Sequence, residues 1–132
     1  MASKSRKGIV IVACALALLA AGCNRSSDSA RAIQMKFRIS PQPPRIGPAT
    51  VTVVLADSLG EPLAGVHVRL EGDMAHPGMA PVFADTQEAA PGHFVGKLQL
   101  TMAGDWVVLV HITLASGEKI ERQVDVRGVT PN

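Results

Sequence analysis

Apolar and polar residues alternate in short runs from Met35 onward, and Gly, Pro, Asp or Ser interrupts them every 8–12 residues. No 3.6-residue period persists, so the pattern predicts strands throughout. Met35, Phe37 and Ile39 alternate with Lys36 and Arg38 in a first strand that the prolines Pro41, Pro43 and Pro44 close. Ala49 to Ala56 follows with Val51, Val53 and Leu55 on one face, and Asp57–Gly65 supplies turn chemistry. Val66, Val68 and Leu70 form the apolar side of a third strand whose other side carries His67 and Arg69. A short fourth segment is predicted around Val82–Ala84, and a fifth over His93–Thr101 with Phe94, Leu98 and Leu100 in phase. Trp106 to Leu114 is apolar on both faces, which predicts a central strand, with Trp106 as a core anchor. The last strand, Lys119 to Val126, leaves its register open: Ile120 and Arg122 face inward or, after a slip, Val124 and Val126.

Seven short strands in about 95 residues predict an all-β fold, an immunoglobulin-like antiparallel sandwich over residues 34–128. The 132-residue length allows one such domain.

The first 22 residues break the pattern. Three of the thirteen basic residues (Lys4, Arg6, Lys7) precede an apolar run from Gly8 to Ala21, and no acid occurs before Asp28. This is the layout of a secretory signal, too short to span a bilayer comfortably. Leu19-Ala20-Ala21-Gly22-Cys23 resembles a bacterial lipobox, which predicts removal of residues 1–22 and lipidation of Cys23. The alternative is an ordinary cut near Ala21 with Cys23 an incidental thiol. Residues 23–33 then form a polar tether, and the protein is expected on the periplasmic face of a bacterial membrane, inner or outer left open. The other cysteine, Cys14, lies in the discarded segment, so no disulfide is available to the domain.

Without the signal, ten basic residues face eleven acidic ones, so the whole-chain pI of 8.8 reflects the leader. The folded part carries neither the basic excess of a nucleic-acid binder nor, with three Phe, one Trp and no Tyr, stacking platforms for bases or sugars. No nucleophile elbow, HExxH, phosphate loop or paired carboxylates occur, so no catalytic residue, enzymatic activity or small-molecule substrate is assigned.

Candidate chemistry concentrates in Gly72-Asp73-Met74-Ala75-His76-Pro77-Gly78-Met79-Ala80-Pro81. Pro-Gly at its centre predicts a type II turn with His76 and Met79 at its first and last positions. Met74, two residues before His76, projects to the same side in extended backbone. Thioether and imidazole donors suit Cu(I), whereas zinc usually draws on Cys, His and carboxylate. His93 completes this metal set if the Pro91-Gly92 turn folds toward the loop. The alternative is that the methionines pack beneath the loop, that His76 only bonds the turn and that His93 starts a solvent-facing strand. His67 and His111 read as partly exposed strand residues, and Asp105 as a turn residue.

The succession Val66-x-Val68-x-Leu70, Met74-x-His76-x-Gly78-Met79, Pro91-Gly92-His93-Phe94 and Leu100-x-Met102-x-Gly104-Asp105-Trp106, followed by Val107–Leu114, resembles the YtkA-like family over roughly residues 35–127. FixH-like proteins are its relatives, with a transmembrane helix where this chain has Cys23. The resemblance implies an extracytoplasmic Ig-like sandwich associated with copper handling and terminal-oxidase assembly. The family's loop methionine and histidine fall on Met74 and His76, with Met79 extending the set, and Phe94 replaces the commoner tyrosine. Two functions are therefore expected: a lipid-anchored periplasmic copper carrier or chaperone, or a metal-free module presenting an edge or loop to an envelope complex.

Overall fold

A computed structural model describes residues 32–76 and 78–132. The signal segment, Cys23 and most of the tether lie outside the described residues. Seven strands account for the regular structure: β1 (Gln34–Ser40), β2 (Gly47–Ala56), β3 (His67–Asp73), β4 (Val82–Ala90), β5 (His93–Leu100), β6 (Gly104–Thr113) and β7 (Lys119–Val129). All pairings are antiparallel, in the order β1-β2-β5-β4-β3-β6-β7.

The single order folds into two layers because β4 changes partners midway. Val82–Asp85 pair with β3, whereas Thr86–Ala90 pair with β5. At the changeover the next carbonyl of β3, that of Val68, accepts a hydrogen bond from Thr86 Oγ1 at 2.7 Å. The side chain satisfies a backbone group that the ladder has just abandoned. One layer is β1-β2-β5 with the second half of β4; the other is the first half of β4 with β3-β6-β7. The outer strands approach each other again where Ile46 N–H donates to Thr130 C=O and Thr130 N–H to Pro44 C=O. The result is a nearly closed, Ig-like sandwich.

Alternation fills the space between the layers. Val51, Val53 and Leu55 of β2, Val68 and Leu70 of β3, Phe94, Leu98 and Leu100 of β5, and Trp106, Val108, Val110 and Ile112 of β6 are buried. Among the described residues no polar or charged side chain is buried. Each fully buried Val, Leu, Ile or Phe contributes roughly 1.5–3 kcal/mol. The indole of Trp106, the largest buried group, donates from Nε1 to Met102 C=O at 3.0 Å, so its single polar atom is satisfied.

As its two apolar faces predict, β6 lies between β3 and β7. The open register of β7 resolves without a slip. Ile120, Arg122, Val124 and Val126 stand opposite Ile112, Val110, Val108 and Trp106, all on the inward side. The irregularity comes later, between the pairs Trp106–Val126 and Gly104–Val129, where Gly128 N–H donates to Asp105 Oδ1 at 2.8 Å. Asp105, expected as a turn residue, is instead the second residue of β6, where its carboxylate holds the irregular end of the β6–β7 ladder.

The connections β1–β2, β3–β4 and β5–β6 and the C-terminus share one end of the sandwich, here the upper end. The connections β2–β3, β4–β5 and β6–β7 and the start of β1 occupy the lower end.

Candidate functional site

The β3–β4 connection at the upper end carries the Met/His segment. β3 ends at Asp73, whose Oδ1 accepts the Met74 N–H at 2.7 Å. Met74 then turns inward and is buried at 5% exposure. Space for it comes from Gly104, at the start of β6. That residue has φ +121°, and a Cβ there would stand 3.1 Å from Met74 Cε. An alanine would strain the backbone at that φ and press the thioether's methyl group back by a few tenths of an ångström.

The chain next closes the predicted turn. Met79 N–H donates to His76 C=O at 3.3 Å, and Gly78 has φ +84°, as the third position of a type II turn requires. His76 is exposed, and Met79 is half-buried against the hydrophobic core. The loop therefore stacks its donors by depth, with Met74 lowest, Met79 at the boundary and His76 in solvent. Among the described residues no three His, Cys, Asp or Glu side chains gather in a way that could hold a metal. The loop's own donors are two thioethers and one imidazole, a set for a soft ion.

Met102, in the adjacent β5–β6 turn, adds a third thioether at the upper end, 42% exposed. The sequence reading missed it as a donor because it lies 23 residues beyond Met79. Two observations tie its turn to the site: its carbonyl holds the Trp106 indole, and Gly104, two residues on, backs Met74.

His93 is not brought to this loop. It opens β5 at the lower end, opposite Ala90 of β4 and Val54 of β2. The Met/His loop leaves the sheet beside the Gly72–Val82 pair, eight residues away along β4, or roughly 26 Å at 3.3 Å per residue. The Pro91-Gly92 turn points away because the antiparallel β4–β5 hairpin puts it at the far pole. His93 instead lies exposed in a cross-strand row with Val54 and Lys36.

A different histidine has the polar contacts. His111 Nε2 lies 2.7 Å from Glu71 Oε2, and its Nδ1 3.4 Å from Glu121 Oε2. The three residues link β3, β6 and β7 across the outer face of one layer. Sequence reading assigned His111 only to a half-exposed strand position. The cross-strand register that brings the two carboxylates to it is a tertiary fact.

Among solved structures the chain is similar to murine CRIg, with a TM-score of 0.43 and 10% identity over 75% of this chain and 99% of that one. No curated protein matches it. A family model described as YtkA-like matches residues 28–111, more than half of the chain and everything from β1 to most of β6. The chain belongs to the YtkA-like family.

Proposed function

We propose that this YtkA-like domain is a lipid-anchored, extracytoplasmic copper-binding module, a carrier or chaperone rather than an enzyme. The observation that carries the reading is the closed turn. His76 and Met79 stand at its two ends, two and five residues after Met74. Soft thioether donors with one imidazole favour Cu(I) over Mg, Ca or Mn. An exposed His76 beside a half-buried Met79 also suits transfer, since an incoming partner can replace the outer ligand before the inner one. Lipidation of Cys23 would confine the domain to a membrane surface, with an envelope protein as recipient.

The test is a Cu(I) competition titration of the chain against a chromophoric chelator. Stoichiometric binding tighter than micromolar, lost in His76→Ala and in Met79→Ala, is the expected result. A Met102→Ala variant run in parallel reports whether the neighbouring thioether takes part. Absence of competition by the unmodified chain overturns the copper reading.

One observation favours a second reading. Met74 is as buried as the rest of the core, which is how a packing methionine behaves. On that reading the upper end is a rigid docking surface for an envelope complex, and the loop's shape is the functional property.

A further inference from the structure

We propose that the outer face of the β1-β2-β5 layer lies on an anionic lipid surface. It presents Lys36 and Arg38 from β1 and Lys97 from β5, all exposed. Register sets them on one face: Lys36 stands opposite Val54, Arg38 opposite Thr52, and Thr50 opposite Lys97. The three strands contain no Asp or Glu. None of the three cations forms an ion pair among the described residues, whereas Arg69 and Arg127 on the other layer do. Of the acids on β4, Asp85 is 3.7 Å from Arg69 on the other layer, and the Glu88 carboxylate accepts from the backbone N–H groups of Gly65 and Gly92. Strands β3, β6 and β7 of that layer instead carry five acids against four basic residues, close to balance. A domain close to neutral overall is therefore positive on one side.

The occupant follows from where the chain outside the structure joins the fold. Ten residues, 24–33, separate Cys23 from Gln34, the first residue of β1. That length spans at most about 40 Å. A lipid on Cys23 holds the domain within that distance of the headgroups, and the strand the tether enters is the one bearing Lys36 and Arg38. Each Lys or Arg close to an anionic leaflet adds to the attraction, and three together favour it over a neutral one by roughly a hundredfold. In this orientation the Met/His loop sits at the rim, open to partners, and the layer carrying Glu71 and Glu121 faces away from the membrane. The proposal rests on the lipid anchor inferred above, and the experiment separates the two.

The full chain is mixed with phosphatidylglycerol or phosphatidylcholine vesicles and exposed to an amine-reactive reagent, and labelling is quantified by mass spectrometry. Lys119, on the opposite layer, is the internal control. The expected result is at least fivefold protection of Lys36 and Lys97 on phosphatidylglycerol alone. It should be reversed by 1 M salt, which shortens the screening length to about 3 Å, and weakened by Arg38→Glu, with Lys119 unchanged. Equal labelling on both lipids, or protection of Lys119 instead, overturns the proposal. Protection in vesicle-free protein at the same concentration also overturns it, assigning the face to a second copy of the chain. Co-flotation with phosphatidylcholine vesicles reads the anchor independently, so a chain that floats but shows no protection keeps its anchor and loses this face.

Discussion

At the scale of single residues the loop divides its donors between packing and solvent. Met74 is enclosed, with its methyl group against Gly104, whereas the His76 side chain is exposed. Met74→Ala should lower the unfolding free energy by about 2–5 kcal/mol, and His76→Ala should leave it within about 0.5 kcal/mol. Urea denaturation of both variants checks this. A neutral Met74→Ala would mean that the thioether is not held where the packing places it. The residue types and the turn were legible in the sequence: Pro-Gly between His76 and Met79 foretold the bond from Met79 N–H to His76 C=O. Depth was not legible. Whether a loop methionine points down or out depends on the room left by a strand thirty residues away, and Gly104 carries no signal of its partner. His93 failed for a related reason, because hairpin direction decides which pole a turn occupies.

At the scale of elements, β4 is the strand whose sequence says least and whose geometry does most. Only Val82–Ala84 showed an apolar pattern, yet the strand runs to Ala90 with its last four residues exposed. Its second half borders an open sheet edge, so no alternation is enforced there. The change of partner depends on Thr86 Oγ1 meeting the carbonyl of Val68. Thr86→Val keeps the shape and removes the donor, and should cost about 1–3 kcal/mol by leaving that half-buried carbonyl unpaired. Thr86→Ser should retain most of the stability, and thermal denaturation of the pair distinguishes the hydroxyl from the methyl. The central strands were easier. β2, β5 and β6 alternate because each has one face in the core, and their boundaries fell within two residues of prediction. The register of β7 stayed open in the sequence because Arg122 occupies an inward position. The structure puts it opposite Val110, and its guanidinium reaches Ile33 C=O at 3.5 Å.

For the whole molecule, the sandwich expected from seven alternating runs is the one observed, and the switch of β4 from β3 to β5 that makes its two layers continuous is what the runs alone do not encode. The family match ends at His111, before β7, yet β7 supplies Ile120, Val126 and Val129 to the core. The domain is therefore larger than the segment the family model matches. No cysteine follows Cys23, and among the described residues no ionisable side chain is buried. Addition of a thiol reductant should accordingly leave the melting temperature unchanged within about 1 °C. A fall of several degrees would show a disulfide contributing to stability. The all-apolar interior bears on the copper reading proposed above. Among the described residues Met74, at the boundary with the loop, is the one buried sulfur and the one buried side chain able to act as a ligand. A soft ion held at the loop would therefore meet a donor of the core at Met74 alone, and the rest of the buried scaffold offers it no ligand.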